Sequence, residues 1–525
     1  IVRHTLEPLV YQGVSDGKPK EQWQLKTPKE ILNLKVCDMA MGSGAFLVQT
    51  CRYLSERLVE AWEVAEQAHP SEVLVTPEGD FSRGEVAERL LPNEAAERLA
   101  IARRLIADRC LYGVDINPMA VEMAKLSLWL ITVDKKRPFS FLDHALKCGD
   151  SLLGISELKQ LEHFSLQPNS VKQTAFTLIG VKQTAFETAN LWRHIDTAKQ
   201  KRLQLEAMPS DTPQQVAIKA ALYAEAEDAL AKLNAAADVL MAVELKGLKA
   251  KAYQQEREVV ASRMMAYWAQ GLTPLQDYAQ GLITGYKTLH WPLAYPEVVD
   301  KGGFDAFVGN PPFMGGKKIT GELGTDYRES YLVSHIANGA KGNADLCAYF
   351  FLRAAKLLKD KGMMGLIATN TIAQGDTREV ALDQLYTTGF TIPRAIPSTP
   401  WQGVAALEVA HVWFYKGNWQ GAVFLDDKPV KAISAYLTLP NRVEGNPYRL
   451  MANADKSFTG SVVLGMGFVL EPEEAQALIA KNPQNKDCLF PYLNGEDLNS
   501  SPTQSPSRWV INFSDWPLNR RAEGQ

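Results

Sequence analysis

Two consecutive prolines impose the tightest constraint on this chain. In Phe304-Asp305-Ala306-Phe307-Val308-Gly309-Asn310-Pro311-Pro312-Phe313 an apolar run ends at a polar, proline-locked turn that carries an aromatic residue. The apolar residues predict a buried strand, since a half-exposed strand would alternate more strictly. Pro311 and Pro312 fix φ and remove two N–H donors, so the strand cannot continue and its acceptors face outward. A rigid turn of this kind can offer amide oxygens to the N–H groups of a planar amine while the Phe313 ring stacks on the base that bears it. An ordinary Asn-Pro turn after a core strand has the same local pattern.

The preceding sequence separates these readings. Ile31 to Ala40 (ILNLKVCDMA) predicts a strand, Met41-Gly42-Ser43-Gly44 a glycine turn, and the following AFLVQTCRYLSERLVEAWEVAEQA a helix. Phe46, Leu47, Thr50, Leu54, Leu58, Val59 and Trp62 recur at helical spacing. Glycines at such a turn let a ligand approach the backbone, and the helix start offers free N–H groups. A second strand, Cys110 to Asp115, ends in an acid and leads through Ile116-Asn117-Pro118 into a helix. A third, His144 to Leu153, contains Asp150. Acids at successive strand tips can accept from ribose hydroxyls and amines, outside the carboxyl ends of a parallel sheet. The polar stretch from Gln67 to Asp108 reads as an insertion after the first helix.

Residues 188–285 are rich in Ala, Lys, Glu, Gln and Leu. They predict long helices, an antiparallel pair projecting from the core with a solvated charged face, broken near Met208 to Pro213. VKQTAF occurs at 171–176 and again at 181–186, a single duplication with no assigned role. Further on, a helix is expected over Asn343 to Lys359, with Asp345 near its start. A buried strand is expected over 363–370, a helix over 377–388 with Asp376-Thr377-Arg378 as cap and surface charge, and strands over 390–396 and 407–416 as a hairpin at the sheet edge. Beyond about Asp426 short strands punctuated by Pro and Asn suggest a new domain.

Bulk properties exclude some classes. The 525 residues are long enough for several domains, with 46% hydrophobic and 22% charged residues as in globular proteins. A net charge of −4 gives no global basic field, though a local cleft can still be basic. The six cysteines stand singly and the eight histidines form no HExxH pair, so no metal site is expected and buried free thiols in a reducing cytoplasm are the plain reading. No apolar run reaches membrane-span length, so no membrane association is expected. A start at Ile1 and an unfinished last segment suggest a piece of a longer protein.

Taken together, VCDMAMGSGAFL, YGVDINP, KCGDSLLG and FVGNPPF, in this order, resemble the adenine-N6 DNA methyltransferases of the Asn-Pro-Pro-aromatic type. More narrowly they resemble the large bacterial type IIG restriction–modification and phage-defence enzymes. TNTIAQGD, YLNGEDL and RWVINF share that flavour less specifically. Met39 and Met41 depart from the family's usual Pro and Cys, while Asp38 and the glycines are kept. The resemblance implies an α/β, Rossmann-like S-adenosylmethionine-dependent methyltransferase sheet. It would have a cofactor-binding half (1–160), a long helical insertion (161–290), a catalytic half (291–425) and the beginning of a target recognition domain (426–525). S-Adenosyl-L-methionine is the implied methyl donor and double-stranded DNA the implied partner, with a nuclease outside this stretch and a bacterial cytoplasmic location.

Carried over by position, Gly42 and Gly44 would admit the cofactor and Asp38 would order its amino acid end. Asp115 would hold the ribose, Asp150 would accept from the cofactor's adenine amine and Ile116 would pack on that ring. Asn310 and the Pro311 carbonyl, in a turn completed by Pro312, would accept the hydrogens of the target amine, with Phe313 stacking on the base. Trp401 is the candidate for the base's opposite face, and Lys317 and Lys318 for phosphate contact. The alternatives are methylation of cytosine N4 or of a protein glutamine amide, and a catalytically silent DNA-recognition or nucleotide-binding subunit.

Overall fold

A computed structural model describes residues 1–68, 74–82, 90–133, 137–168, 185–248, 250–401, 407–440, 450–453, 456, 463 and 466–514. The two VKQTAF copies lie outside the described residues, apart from the backbone of the last two positions. The chain divides into two compact units, Ile1–Pro440 and Asn441–Gln525.

The first unit is built on one nine-stranded sheet. Its strands, in chain order, are β1 (Val36–Asp38), β2 (Leu111–Asp115), β3 (Leu146–Cys148), β4 (Phe304–Gly309), β5 (Leu358–Thr369), β6 (Phe390–Pro400), β7 (Glu408–Lys416), β8 (Val423–Leu425) and β9 (Lys428–Val430). Their spatial order is β9-β8-β6-β7-β5-β4-β1-β2-β3. β3, β2, β1, β4 and β5 run parallel, and β7 is antiparallel to both β5 and β6. The strand order reverses between β1 and β4. Both tips therefore border the crevice outside the carboxyl edge, where doubly wound sheets bind ligands.

Helices cover both faces, as a parallel sheet buried on two sides requires. On one face Val2–Val10, Ala45–Ala68, Ala95–Arg109 and Pro118–Thr132 bury Leu6, Leu54, Leu105 and Leu128 against the sheet. On the other, Leu346–Leu357 and residues 291–299 pack around Trp291, Tyr295, Phe304 and Phe307, whose rings meet edge-on or tilted.

Several expectations change. The strand expected over Ile31 to Ala40 is a short helix, Pro28–Leu32, followed by the three-residue β1. Thr27 and Glu30 form a capping box and Pro28 occupies the first turn, local signals that outweigh the apolar spacing. The third strand is shorter than expected, and the helix expected at 377–388 breaks at Ala381 into Gly375–Val380 and Leu382–Thr387. β6 and β7 pair as a hairpin, but not at the edge, because β8 and β9 add beyond β6. For the same reason the first unit runs past Asp426 to Pro440.

The helical segment is not a projecting pair. It comprises four helices, Ala185–Ala207, Pro213–Glu244, Ala250–Gln270 and Leu272–Leu282. The end of the second is buried from Ala235 through Glu244, except at half-buried Asp238. Its charges are not all solvated either. Arg202 and Glu297 pair at 2.7 Å with both side chains 2% exposed, and Lys219 meets Asp108 at 3.2 Å. Burial pushes the Glu297 carboxyl up, but the Arg202 guanidinium outweighs this and holds it below the ordinary range. Arg378, expected as a surface charge, is also buried, against Asp383 and over the Tyr436 ring. Cys148 is exposed and Cys488 half-exposed, so the thiols are not all buried.

In the second unit, Val469–Leu470, Leu489–Tyr492 and Arg508–Ile511 form a small antiparallel sheet beside the Pro472–Lys481 helix. Among the described residues no helix is long and apolar enough to cross a membrane.

Candidate active site

β1 stops at Asp38 and the chain turns through Gly42 and Gly44, with φ of +53° and +81°, before the Ala45–Ala68 helix begins. Both values lie in the left-handed region that glycine enters without steric cost. Space beside Gly42 is open, whereas a Cβ on Gly44 would sit 3.1 Å from the Ala124 Cβ. Met39 and Met41, the departures from the family pattern, are both buried beneath this turn.

Asp38 is 1% exposed. Its Oδ1 accepts from the Ala40 N–H at 3.0 Å, while its buried Oδ2 has no partner. Burial pushes the carboxyl up to about 7; the Asp115 charge adds to this and the Ala40 bond opposes it. A Cβ on Gly309 would fall 2.5 Å from Asp38 Oδ1, so only glycine lets the β4 tip close on this acid.

Asp115, at the β2 tip, bridges two backbones. Its Oδ2 accepts from the Gly42 N–H at 2.9 Å and its Oδ1 from the Asn117 N–H at 2.8 Å. This ties the glycine turn to the next strand and leaves further lone pairs on both oxygens. Ile116 beside it is 53% exposed, an uncovered apolar surface at the strand edge.

Asp150 is half-buried beyond β3. Its Oδ1 accepts from the Leu152 N–H at 2.9 Å and its Oδ2 from the Tyr327 hydroxyl at 2.7 Å. Burial raises the carboxyl and these bonds oppose the rise. Tyr327 was not singled out from the sequence. It lies on an eleven-residue π-helix, Asp326–Ile336, which no hydrophobic period announced.

β4 is buried at every position and ends at Gly309. Asn310 follows, half-exposed, with its Oδ1 buried and unpartnered. An unbonded buried acceptor costs about 1–3 kcal/mol. The turn is also anchored downstream. Asp345 Oδ1 caps the Leu346–Leu357 helix through Cys347 N–H and accepts from Met314 N–H at 3.2 Å. Leu346 N–H donates back to the Met314 carbonyl at 2.8 Å. Phe313 is therefore held between two fixed points.

Trp401 does come to Phe313, with ring centroids 6.5 Å apart at 82°. The rings form a right-angled corner rather than the parallel jaws expected for two faces of one base. Residues 402–406 of that loop lie outside the described residues. Lys317 and Lys318 are exposed on the Gly316–Leu323 helix just after the turn, not on a loop.

Asp38, Asp115, Asp150 and Asn310 thus stand along one edge of one parallel sheet, at the ends of β1, β2, β3 and β4. The family model of the Eco57I restriction-modification methylase matches residues 109–387. A putative type II restriction enzyme and methyltransferase of Methanocaldococcus jannaschii is 24% identical over 366 residues, covering 66% of this chain and 27% of that protein. The solved type IIL restriction-modification enzyme MmeI in complex with DNA aligns at a TM-score of 0.44 and 15% identity, over 92% of this chain and 45% of its own. A putative class I S-adenosylmethionine-dependent methyltransferase from Listeria monocytogenes aligns at 0.19 and 13%, over 53% of this chain and 92% of its own. The chain thus spans about a quarter of the jannaschii relative and less than half of MmeI. Because the family model covers more than half of the 525 residues, the protein belongs to the Eco57I restriction-modification methylase family.

Proposed function

We propose that this chain is the methyltransferase portion of a restriction–modification enzyme, transferring a methyl group from S-adenosylmethionine to the N6 amine of an adenine in double-stranded DNA. The observation that carries the reading is the buried, unpartnered Asn310 Oδ1 on a proline-locked turn beside Phe313.

The residues at the edge suit the cofactor. The unpartnered Asp38 Oδ2 can take its ammonium, the open space at Gly42 its backbone approach, Asp115 its ribose hydroxyls, and Asp150 with exposed Ile116 its adenine. Bound there, S-adenosylmethionine supplies an electrophilic methyl group on a sulfonium.

The chain's own task is to make a poor nucleophile competent. The N6 lone pair is delocalised into the purine. Asn310 Oδ1 and the Pro311 carbonyl, accepting its two hydrogens, draw the nitrogen toward tetrahedral geometry and free that pair. Asn310 needs no basicity for this, since it works by position and fixed dipoles. The target base must leave the duplex to reach the turn, and stacking on Phe313 offsets part of that cost. The Lys317 and Lys318 ammonium groups lie beside the turn for neighbouring phosphates. Residues 441–525 are read as the start of a target recognition domain, with a nuclease domain or subunit outside these residues as partner and the bacterial cytoplasm as the place of action.

The test is transfer of tritiated methyl to unmethylated DNA, followed by nucleoside chromatography. Label should appear as N6-methyladenine, and Asn310→Ala should lower the rate by about 10²–10³ while leaving cofactor affinity intact. Label in N4-methylcytosine would overturn the adenine assignment. A wild-type protein that binds cofactor and DNA yet transfers nothing would establish the silent-subunit alternative.

A further inference from the structure

We infer that the π-helix Asp326–Ile336 is a positioning device for the adenine end of the methyl donor, and that Tyr327 is its operative residue. The inference rests on the cofactor site proposed above and extends it to a residue that touches Asp150 rather than the cofactor.

The loop that carries Asp150 has no regular structure, yet it is pinned from several directions. Tyr331 donates its hydroxyl to the Leu152 carbonyl at 2.5 Å and accepts from the Gly154 N–H at 3.1 Å. Arg353 Nη2 reaches the same Leu152 carbonyl at 2.6 Å and the Tyr331 hydroxyl at 2.8 Å. Trp291 Nε1 donates to the Ser151 carbonyl at 3.0 Å, and Ser151 Oγ to the Met39 carbonyl at 2.6 Å. These bonds hold the loop's backbone. Among the described residues only Tyr327, at 2.7 Å, holds the carboxyl from a side chain, while Leu152 N–H holds its other oxygen. The hydroxyl is donated from a residue 2% exposed, so water does not compete for it.

π-Helical geometry is rare, and its usual form, a single-turn bulge, is frequent at functional sites. Here the helix directs two tyrosines, four residues apart, at one five-residue loop: Tyr331 at its backbone and Tyr327 at its acid. Tyr286, whose ring lies nearly parallel to that of Tyr327 at 6.4 Å, closes the outer side. Its neighbour Lys287 accepts from the Asp150 N–H through its carbonyl at 2.7 Å.

Two consequences follow for Asp150. The Tyr327 bond orients the carboxyl, leaving its remaining lone pairs for an amine. It also favours the ionised form, which accepts only, against the burial that favours the protonated one. The charged and titratable groups acting on it are Tyr327 from the π-helix and Arg353 from the Leu346–Leu357 helix.

The test is calorimetric binding of S-adenosylhomocysteine to the 525-residue chain between pH 5.5 and 8.5, for wild type, Tyr327→Phe and Asp150→Asn. Tyr327→Phe should bind about tenfold more weakly at the acid end of the range, and the deficit should narrow as pH rises, because loss of the hydroxyl raises the Asp150 carboxyl further. Asp38 titrates alike in both proteins, so their ratio of affinities at each pH isolates Asp150. Asp150→Asn, which has no proton to lose, should leave only the Asp38 slope. S-adenosylhomocysteine with two methyl groups on its adenine amine should bind wild type and Tyr327→Phe equally. A Tyr327→Phe profile identical to wild type would overturn the inference while leaving the cofactor site intact. Failure of wild type to bind would overturn both. If Tyr327→Phe does not fold, the dimethylated analogue still decides with wild type alone. Equal affinity for both ligands would overturn the role of Asp150 and with it that of Tyr327.

Discussion

The helical segment and the carboxyl edge of the sheet both bury charged or polar groups, but they satisfy them differently. Around the helices three buried charges meet an opposite one, Arg202 with Glu297, Lys219 with Asp108, and Lys35 with Glu206 at 2.6 Å, while buried Arg257 reaches the His163 and Phe164 carbonyls. At the edge, Asp38 has a backbone N–H and a like-charged neighbour, and Asn310 Oδ1 has nothing. An ion pair closed on itself contributes to the packing of one structure. Unpartnered buried atoms occur in both regions, Arg202 Nη1, Glu206 Oε2 and Asp108 Oδ1 among them; the edge differs in that the charge acting on Asp38 is a like one, Asp115.

Substitutions can break this contrast from either side. Arg202→Met should be the most damaging, since it strands Glu297 in the interior. Removing one partner of a buried pair costs about 3–5 kcal/mol, which should show as a lower urea midpoint. Adding Glu297→Gln should restore much of it. If Arg202→Met kept its stability but lost methyl transfer, the helical charges would belong with the site instead.

Phe313→Ala should leave the fold unchanged and weaken productive base capture by about 1–3 kcal/mol. The readout is kcat/KM for DNA, with Phe313→Trp retaining more than Ala. A Trp401→Ala variant compared in parallel shows whether the aromatic corner acts as one unit.

Asp38 makes the comparison pH-dependent. Its folded-state value of about 7 lies above the ordinary 3.8. Between these the folded chain binds more protons than the unfolded one, so stability without cofactor falls as pH rises through that window. Binding a cofactor ammonium reverses the preference. Cofactor affinity should therefore rise roughly tenfold from pH 6 to 8 with release of a proton, measured by calorimetry in buffers of different ionisation enthalpy. Asp38→Asn should remove both slopes.

The smallest effect is expected at the surface. Lys317→Ala and Lys318→Ala should each reduce the slope of log affinity against log salt by about one in DNA-binding titrations, with stability unchanged.

How much of this was legible beforehand depends on how local each signal is. Gly42, Gly44, Pro311 and Pro312 act through their own φ angles, so their turns lie where the sequence put them. The acids Asp38 and Asp115 close strands that their own neighbours specify. Ile31 to Ala40 misled because its apolar spacing suits a strand, while the Thr27–Glu30 capping box lay just upstream of the part considered. Arg378 looked like an exposed helix-start charge, and only the folded chain brings the Tyr436 ring over it. Nothing near Tyr327 marks it, because its partner Asp150 is 177 residues away.

The sequence by itself determined the turns, the strand tips and the chemical types gathered at them, because backbone restrictions and hydrophobic periods act over a few residues. Only the tertiary structure decided the strand order that sets Asp38 beside Asn310 and the pairing of the helical charges. It also decided which acceptors stay open. Those depend on contacts between residues far apart in the chain, where burial in a shared low-dielectric interior rather than local preference sets the energy.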